Sequence, residues 1–511
     1  MTDRVTMPSG LPRPVVLVSH RGPATFTRTE NGRSAKRGAG GLVTALTDLA
    51  RQLDDVTWVC GASTDEDAAV AAEHPGRAAR VALSEPPELV EDEVGSGEAP
   101  VVPLRLVPVD TDAHDGFYNV IANPLLWFVQ HGLYGLATAP ALGKVEHDAF
   151  EHGYVPVNAA FGDAVAEQVE AAGGDALVMV HDYHFYLVPH HVRERCPGAL
   201  ISHFIHIPWP GPDAWRTLPP SMREPLLRGL LGADVVAFHT EGSARNFLLS
   251  VQEHLSVRVD LDSMTARIGD RTVAARSYPI SIDVQGIREL ADGSAVAEQL
   301  RTLEEEFSSD GRQMVLRVDR TDPSKNIVRG FTAFGLLLDD HPELVGRVRF
   351  LALLQPSRQD VPEYADYLGR IGAEVARINA RHDAGGHAPI DLRLVENLPL
   401  AIAAYRLCDV LMVNAVADGM NLVAKEAAVT NTHDGVLVLS ENTGAHQELG
   451  EAAVTVYPFD VRQQADALNK ALTMPADERR KRLAWAAAVV ERNDITHWFS
   501  AQLEDLAADH A

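Results

Sequence analysis

Cysteine is scarce in this chain: Cys60, Cys196 and Cys408 are spread over 511 residues and form no CxxC pair. Disulfide frameworks and structural zinc sites need paired or clustered cysteines, so the sequence argues against both and favours a reducing compartment. No apolar run is long enough to span a bilayer, and residues 1–10 lack the apolar region of a signal peptide. We therefore expect a cytoplasmic protein without a membrane partner.

Positive charge is also in short supply. Lys and Arg number 45 against 71 Asp and Glu, which gives a formal net charge of −26. Such a surface repels polyanions, so nucleic acid is not expected as a partner. Basic residues that do cluster in so acidic a chain then indicate sites for small anions. At 511 residues the chain is too long for one core, so two or more domains are expected, and a homo-oligomer is left open.

Short apolar runs alternate along the chain with longer stretches of helical spacing. The runs lie at 14–20, 57–62, 104–110, 176–182, 200–208 and 234–240 in the first half, and at 313–319, 348–354, 390–396, 409–415, 435–441 and 453–458 in the second. Continuous apolar strands separated by helices indicate parallel sheets covered on both faces. The sequence therefore predicts an α/β protein with two doubly wound, Rossmann-like domains.

The expected domain boundaries follow from these two series of strands. The first domain is placed at 1–280 and the second at 281–480, with YPISID (278–283) as the hinge. The remaining stretch, 481–511, reads as a polar helical tail and is expected to pack back on the first domain.

Ligands of open parallel sheets bind beyond the carboxyl ends of the strands. Polar residues hold that place at Arg21, Asp182, His206 and His239 in the first half, and at Arg320, Arg358 and Asp418 in the second. Both halves thus direct chemistry to their strand ends, which predicts a cleft between two facing sheets. The turn with Arg320 and Lys325 adds to this, since two cations after a buried strand imply an anion.

Two segments are typical of phosphate sites, each with a plainer alternative. In KRGAGGL (36–42), Gly41 and the glycines before it either let the backbone approach a phosphate or make only a tight turn. In ADGMNLVAKEAAV (417–429), the N–H groups at a helix start are suited to a diphosphate. Glu426 is then a candidate for a ribose diol, against the alternative of an ordinary solvated glutamate.

The stretch HDYHFYLVPHHVRER (181–195) is rich in histidine. It contains no HExxH, and no set of cysteines elsewhere could complete a metal site. We therefore expect Asp182 to act by hydrogen bonding, the other histidines to be structural, and no metal to be bound.

These segments, in this order, resemble the trehalose-6-phosphate synthases, which are retaining glycosyltransferases of GT-B fold. The motifs are Ser19 with Arg21, AGGL (39–42), YNxxxNxxLW (118–127), HDYH (181–184), HIPWP (206–210), LLGAD to FHTE (230–241), VDRTDPSKN (318–326), PSRQDVPEY (356–364), DGMNLVAKE (418–426), LSENTGA (439–445) and NDITHW (493–498). The resemblance implies glucose transfer from a nucleoside-diphosphate glucose, bound mainly by the second domain, to glucose 6-phosphate, bound mainly by the first. The product would be α,α-trehalose 6-phosphate, formed with retention and without a cofactor.

Carried over residue by residue, the resemblance implies three overlapping groups. The catalytic group is Arg320, Lys325, His206, Asp182 and Asp418; the donor group is Gly41, Arg320, Lys325, Glu396, Asp418, Met420, Asn421, Leu422 and Glu426; the acceptor group is Arg21, Tyr118, Trp127, Asp182, His239 and Arg358. Arg320 and Lys325 would hold the donor diphosphate and stabilise its charge as it leaves. No enzyme nucleophile is implied, because the acceptor hydroxyl attacks from the front face and relies on positioning.

Two positions depart from the family pattern. Asn326 stands where most synthases have Gly, and Ala417 where many have Arg. Both resemble the related pseudoglycosyltransferase of validamycin biosynthesis, which couples cyclitols, whereas Tyr118, Met420 and NDITHW resemble the synthases. Cyclitol coupling is therefore the alternative activity. A noncatalytic sugar-phosphate sensor is a further one, but it would be expected to lose a phosphate-binding cation, and an NAD-linked oxidoreductase would need a dinucleotide fingerprint that is missing.

Glu396, in RLVENLPLAIAAY (393–405), falls near the expected base position. The edge of guanine offers a ring N–H and an amine, two adjacent donors that suit a carboxylate, whereas uracil offers one donor flanked by acceptors. Of the two candidate donors, GDP-glucose and UDP-glucose, we therefore expect GDP-glucose to be used at least as well.

Overall fold

The computed structural model describes residues 8, 11, 14–30, 32–38, 40–53, 55–84, 86–90, 99–308, 311–383, 385–386 and 388–510. The chain divides into two compact units. The first comprises the described part of Met1–Tyr278 together with Phe499–Ala511, and the second comprises Pro279–Trp498. The chain therefore passes from the first unit to the second after Tyr278 and returns after Trp498.

The first unit contains thirteen described strands and nine helices before the crossing. The strands are β1 (Val15–Val18), β2 (Ala24–Thr29), β3 (Gly32–Arg37), β4 (Val56–Gly61), β5 (Ala79–Ala82), β6 (Glu88–Leu89), β7 (Val101–Val107), β8 (Leu177–His181), β9 (Leu200–Phe204), β10 (Val235–Phe238), β11 (Arg258–Asp260), β12 (Thr265–Ile268) and β13 (Arg271–Ser277). The helices are α1 (Gly41–Gln52), α2 (Asp65–Glu73), α3 (Thr111–Asp115), α4 (Trp127–His131), α5 (Lys144–Ala149), α6 (Val155–Ala171), α7 (Val188–Arg195), α8 (Pro220–Leu230) and α9 (Glu241–Leu255).

Eleven of these strands form one sheet in the order β11-β12-β13-β10-β9-β8-β1-β4-β7-β5-β6. The strands from β13 to β7 in this order are parallel, and the outer strands at both edges are antiparallel. Every residue of β1, β8, β9 and β10 is buried, as expected for central strands with helices on both faces. The remaining pair, β2 and β3, forms a separate antiparallel hairpin.

The second unit contains six strands and most of the remaining helices. The strands are β14 (Gln313–Arg320), β15 (Val348–Gln355), β16 (Ile390–Leu394), β17 (Val410–Val413), β18 (Val436–Ser440) and β19 (Val454–Val456). The helices are α10 (Val284–Ala291), α11 (Ser294–Leu303), α12 (Ile327–Asp340), α13 (Pro362–His382), α14 (Leu398–Leu407), α15 (Leu422–Thr430), α16 (Ala445–Leu449), α17 (Val461–Leu472) and α18 (Ala476–Arg492), and the last helix, α19 (Ile495–His510), carries the return to the first unit.

The sheet of the second unit is entirely parallel, in the order β16-β15-β14-β17-β18-β19. Its core includes Phe331 and Phe334 of α12, which pack edge-on against Phe350 of β15 with ring centroids 5.3 and 5.2 Å apart. The α/β class with parallel sheets, predicted from the sequence, is confirmed.

All twelve apolar runs singled out in the sequence overlap strands of the two sheets. The β2–β3 hairpin and five strands of the first sheet were not predicted, because they are short or partly exposed and lack a continuous apolar run: β5, β6, β11, β12 and β13. The expected boundary at 480 falls inside α18, which belongs to the second unit. Only Ala486, Val489 and Val490 of this helix are buried, so its sequence gives little sign of packing on a domain. No helix in the described ranges combines the length and apolar character of a membrane span.

Candidate active site

Each sheet has one place where the strand order reverses, and polar loops meet there. In the first sheet β1 lies between β4 and β8, and in the second β14 lies between β15 and β17. The connections on the two sides of such a point lead away in opposite directions, which leaves a crevice at the carboxyl ends of the strands. The predicted residues after β1, β8, β14 and β17 therefore lie at these two points.

At the reversal point of the second sheet, Lys325 and Asp418 form an ion pair through Nζ and Oδ2. Both side chains are largely buried, at 14% and 16% exposure. Burial lowers the pKa of Lys325, but the charges of Asp418 and Asp319 outweigh it, so the net pKa lies above the ordinary value. Asn421 also donates to Asp418 Oδ2, at 3.1 Å. A cation and a carboxylate 93 residues apart in sequence are thus brought together.

Arg317, a fully buried residue inside β14, supports the turn that carries Lys325. Its guanidinium donates to the carbonyls of Lys325 at 3.1 Å and Ile327 at 3.3 Å, and to Asp319 at 2.9 Å. Burial raises the pKa of Asp319, and the charge of Arg317 acts in the opposite direction. Arg317 was not predicted from the sequence, although an arginine inside an apolar run (VLRVD) indicates a buried partner.

Gly330 in α12 makes room for that guanidinium. A Cβ at Gly330 would lie 2.6 Å from Nη1 of Arg317 and 3.2 Å from Nδ2 of Asn414. Arg317 also donates to Asn414 Oδ1. Glycine is therefore required at position 330 because the side chain of Arg317 lies too close for a Cβ, and not because of the backbone dihedral angles.

Asn326, the first departure from the family pattern, has left-handed backbone angles (φ 58°, ψ 33°) at the start of α12. Asn is the residue after Gly that best tolerates this conformation. Its amide donates to the carbonyls of Asn414 at 2.9 Å and Pro458 at 2.6 Å, and its oxygen accepts from Arg329 at 2.9 Å. The side chain is buried and used structurally.

Arg358, expected at the acceptor phosphate, lies in the second unit close to the same turn. Its Nη1 is 2.5 Å from the hydroxyl of Tyr364 and 3.4 Å from Oδ2 of Asp322, and its side chain is 8% exposed. Asp322 is fully buried and also accepts from the backbone N–H of Ser324 at 2.9 Å. The acceptor group predicted from the sequence is thus divided: Arg358 is in one unit and the other five residues are in the other.

The loop with Asp418 and Met420 is held against the loop that follows β18. Gly444 N–H donates to the Asp418 carbonyl at 3.0 Å, and Ala445 N–H donates to the Met420 carbonyl at 2.8 Å. A Cβ at Gly444 would lie 2.0 Å from the carbonyl oxygen of Gly419. The segments DGMN and LSENTGA therefore form one rigid element at the strand ends.

This element leads into α15, whose first turn was predicted to hold the diphosphate. Asn421 caps the helix by accepting from the N–H of Ala424 at 3.1 Å, and Leu422 is the first helical residue. Glu426 follows one turn later and accepts from the hydroxyl of Tyr405 at 3.1 Å. Burial raises the pKa of Glu426, while the hydrogen bond from Tyr405 acts to lower it.

Two further second-unit residues complete the predicted donor group. Arg320 is the last residue of β14. Glu396 is exposed in the short loop between β16 and α14, whose ends carry the exposed side chains of Leu394 and Leu398. Glu396 thus lies at the surface between two exposed leucines.

In the first unit, the predicted acceptor residues Tyr118 and Trp127 belong to one array of aromatic rings. Tyr118 stacks on His20 (5.0 Å between centroids), which stacks on His184 at 4.8 Å. Tyr183 contacts His184 at 4.2 Å and Trp127 at 5.5 Å. Burial, with the charges of His114 and Arg21, lowers the pKa of His20 to about 3, so the His20 ring is neutral.

Asp182 follows β8 with a strained backbone conformation (φ 76°, ψ 172°). Its carbonyl lies 3.0 Å from Nε2 of His203, and its N–H donates to the carbonyl of Phe204 at 2.7 Å. His206, after β9, lies 3.1 Å from Nδ1 of His181, and its ring is 5.1 Å from that of His239. Burial and the neighbouring histidines hold the pKa of His206 well below its ordinary value.

Arg21 lies between β1 and β2, and Gly41 is the first residue of α1. Arg21 is exposed, and its carbonyl accepts from Ser19 Oγ at 2.7 Å. Gly38 lies so close to the carbonyl of Gly22 that a Cβ would approach its oxygen to 2.1 Å. Gly41 is exposed and begins α1.

Backbone strain is concentrated at these positions. Seven described non-glycine residues have positive φ, and four of them stand in the predicted motifs: Asp182 (76°), Asn326 (58°), Arg358 (50°) and Asn421 (91°). Such conformations persist where the surrounding structure fixes them, often at functional sites. Within the described ranges, no group of three or more His, Cys, Asp or Glu side chains is placed to hold a metal ion.

Comparison with known proteins gives a family and a fold. The sequence profile of glycosyltransferase family 20 matches residues 13–508. The UDP-forming α,α-trehalose-phosphate synthase A of Dictyostelium discoideum is 31% identical over 95% of this chain. The validamine 7-phosphate valienyltransferase of Streptomyces hygroscopicus is also 31% identical, over 92% of this chain and 89% of that protein. The chain spans 61%, 62% and 54% of the length of three of the curated relatives.

Solved structures agree over nearly the whole chain. An E. coli structure bound with UDP-2-fluoro glucose has a TM-score of 0.79 and 28% identity, and covers 96% of this chain and 98% of its own. A UDP-forming α,α-trehalose-phosphate synthase of Burkholderia xenovorans in complex with glucose 6-phosphate has a TM-score of 0.77 and 26% identity, with 96% and 99% covered.

Proposed function

The chain belongs to glycosyltransferase family 20, and we propose that it is an α,α-trehalose-6-phosphate synthase. It transfers glucose from a nucleoside-diphosphate glucose to glucose 6-phosphate with retention at the anomeric carbon. The observation that carries the proposal is the cluster at the reversal point of the second sheet, where the Lys325–Asp418 ion pair adjoins the start of α15.

The second unit is proposed to bind the donor. Lys325 and Arg320 neutralise the diphosphate, and the N–H groups at the start of α15 add donors to it. Asp418 binds hydroxyls of the glucose and Glu426 the ribose diol. The related E. coli structure bound with UDP-2-fluoro glucose supports a nucleotide-sugar ligand for this fold.

The first unit is proposed to bind the acceptor. Arg21, Tyr118 and Trp127 are assigned to its phosphate, and Asp182 and His239 are assigned to the sugar. The related B. xenovorans complex with glucose 6-phosphate supports this acceptor. Gly41, the first residue of α1, is assigned to the donor by the family resemblance alone. The assignment of residues 1–280 to acceptor binding and of 281–480 to donor binding is part of the proposal.

The chemistry assigned to these residues is charge stabilisation and positioning. As the bond between the anomeric carbon and the diphosphate breaks, negative charge grows on the leaving oxygen, and the cations Arg320 and Lys325 stabilise it. The acceptor hydroxyl attacks the same face, so its orientation by Asp182 decides the rate. His206, neutral because of burial, lies beside the donor sugar as a hydrogen-bonding group rather than a charge.

We also propose which nucleotide base the donor carries. The relatives whose names specify a nucleotide are UDP-forming, whereas we propose that GDP-glucose is used at least as well as UDP-glucose. The support is the exposed Glu396 carboxylate in the loop after β16, since a carboxylate accepts two hydrogen bonds from guanine and only one from uracil.

A cyclitol-coupling activity is the second candidate, favoured by the similarity to the valienyltransferase and by Asn326 and Ala417. Asn326 gives this activity little support, because its side chain is already hydrogen-bonded to Asn414, Pro458 and Arg329. A noncatalytic sensor is less favoured still, because each predicted phosphate-binding cation is present in the sequence.

Product analysis tests the proposal. The protein would be incubated with glucose 6-phosphate and either UDP- or GDP-glucose, and the product examined by proton NMR. We expect a nonreducing disaccharide phosphate with both anomeric protons in the α configuration. No disaccharide with glucose 6-phosphate, but turnover of a phosphorylated aminocyclitol with a nucleotide-linked cyclitol, would establish the second candidate. The cytoplasmic location and a homo-oligomeric state stay predictions.

A further inference from the structure

A buried ion pair lies on the side of α15 that faces the interior of the second unit. Lys425, with a fully buried side chain, has its Nζ 2.6 Å from Oε2 of Glu448, which is 10% exposed. The same Nζ donates to the carbonyl of Ile280 at 2.8 Å. Glu448, in α16, accepts from Nδ2 of Asn493 at 3.1 Å through its other oxygen.

These contacts join α15 to both places where the chain crosses between the units. Ile280 is the second residue after the outgoing crossing at Tyr278, and Asn493 shortly precedes the return at Trp498. The two segments are also joined to each other, since the N–H of Ile495 donates to the carbonyl of Ile282 at 3.1 Å. One buried polar network thus connects the outgoing segment, the returning segment and the helix of the proposed diphosphate site.

Stability alone does not account for a pair in this position. A buried ion pair loses the hydration of both charges, and apolar side chains of similar volume often serve the fold as well or better. Burial lowers the pKa of Lys425, and only the attraction of Glu448 opposes this. What the pair supplies that apolar side chains cannot is a fixed geometry, since each hydrogen bond is satisfied in one arrangement only.

The packing of α15 shows why such a geometry is needed. Besides Lys425, its buried residues are Ala424, Ala427, Ala428, Val429 and Thr430. Three of these five are alanines, whose methyl groups interdigitate little, so the polar contacts of Lys425 add a constraint on the position of the helix along its axis. Lys425 is adjacent in sequence to Glu426 and one turn from the cap, so an axial shift of α15 would move the proposed ribose and diphosphate contacts together.

We propose that Lys425 and Glu448 are positioning residues for donor binding, which fix α15 against the two crossing segments. The inference rests on the proposed function, because it assigns the diphosphate and ribose to α15. Neither side chain touches the substrate; each acts through the placement of the cap and of Glu426. Loss of the pair is therefore expected to weaken nucleotide binding while leaving acceptor binding intact.

The test replaces both partners at once, so that no charge is left buried alone. In the double variant Lys425→Met/Glu448→Met, we expect a melting temperature within a few degrees of the wild type, because apolar replacement of a complete pair is often neutral. We expect the Kd for UDP or GDP, measured by calorimetry, to rise about tenfold, and the KM for glucose 6-phosphate to stay unchanged. The control is Arg288→Met/Glu491→Met, which removes a half-exposed ion pair of the same unit and should leave both constants unchanged.

Nucleotide affinity equal to that of the wild type in a folded double variant would overturn the inference. If the double variant does not fold, Asn493→Ala decides, since it keeps the ion pair and removes one link to the returning segment. We then expect about threefold weaker nucleotide binding, and wild-type affinity would overturn the inference. Failure of the proposed function is distinguishable, because the wild type would then release no nucleoside diphosphate in the presence of glucose 6-phosphate while calorimetry still reports nucleotide binding.

Discussion

Lys325 and Asp418 form an ion pair between the turns that follow β14 and β17, the two central strands on either side of the reversal point of the second sheet. The carboxylate of Asp418 holds the ammonium in place. Under the proposed function, a diphosphate in this site would meet a cation that is already oriented and largely buried. Preorganised charge of this kind needs no rearrangement at the moment the leaving group departs.

Removal of the Lys325 cation should therefore damage turnover more than folding. For Lys325→Ala we expect kcat to fall by about 10²–10³-fold, because under the proposed function the charge on the leaving diphosphate loses one of its two cations. Steady-state kinetics with saturating glucose 6-phosphate measure this. Lys470→Ala, at an exposed position of α17, is the control and should leave kcat unchanged. A Lys325→Ala enzyme with kcat within threefold of the wild type would contradict the role.

Gly330 should tolerate no side chain, because Arg317 occupies the space. For Gly330→Ala we expect a loss of about 1–3 kcal/mol in the free energy of unfolding, because the added methyl group would clash with Arg317. Arg317 can move away only by breaking hydrogen bonds to its four partners. Gly369→Ala is the matched control: it is an exposed helical position with open space around it, and we expect about 0.5–1 kcal/mol of stabilisation. Urea unfolding measures both, and equal effects at the two sites would contradict the packing argument.

Substitutions at Asn326 distinguish a role in backbone conformation from a role in acceptor choice. Asn326→Gly preserves the positive φ and loses the side-chain hydrogen bonds, so we expect a loss of about 1–3 kcal/mol in the free energy of unfolding and no change in acceptor choice. Asn326→Ala should cost about 1 kcal/mol more, because alanine is strained at φ 58°. A change in acceptor choice in the glycine variant would give Asn326 a role in specificity that its contacts do not indicate.

The buried histidines should make the protein less stable in mild acid. Burial lowers the pKa of His203 from 6.5 to about 3, so between these values the unfolded chain binds a proton that the folded protein refuses. Stability is therefore complete above the unfolded value and falls with decreasing pH, by about 2 kcal/mol per such histidine between pH 7 and pH 5.

Urea unfolding at pH 7 and pH 5 tests this assignment. In His203→Gln we expect a smaller loss between the two pH values than in the wild type, because one of the protons taken up on unfolding is removed. His190→Gln, at a position 56% exposed, should follow the wild type. The same pH dependence in His203→Gln and the wild type would show that His203 is not neutral in the folded protein.

Glu396 should bias the choice of nucleotide. For Glu396→Gln we expect the ratio of kcat/KM for GDP-glucose over UDP-glucose to fall about tenfold, because an amide replaces one of the two acceptor oxygens by a donor facing the guanine edge. Competition between the two donors in one reaction measures the ratio directly. Glu363→Gln, at an exposed position in the first turn of α13, is the control. An unchanged ratio in Glu396→Gln would remove the argument for guanine.

The sequence predicted the sheets well because their central strands are buried on both faces and therefore read as continuous apolar runs. It did not predict the β2–β3 hairpin, where only Ala24 and Phe26 are buried and every other position is exposed or half-exposed. The hydrophobic pattern of the sequence carries little information about a strand whose side chains are mostly exposed to solvent.

The candidate site was predicted by motif, but its internal contacts were not. The pairing of Lys325 with Asp418 depends on β14 and β17 being neighbours, which is a property of strand order rather than of either motif. Arg317 was missed because its function is to hold carbonyls beneath the turn, a role that becomes visible only when Lys325, Ile327 and Asn414 surround it.

The most direct test of the account is nucleoside diphosphate release from UDP-, GDP- and ADP-glucose in parallel, with and without glucose 6-phosphate and without added metal. The account predicts release that depends on glucose 6-phosphate, with GDP-glucose at least as effective as UDP-glucose. No acceptor-dependent release from any of the three donors would contradict it.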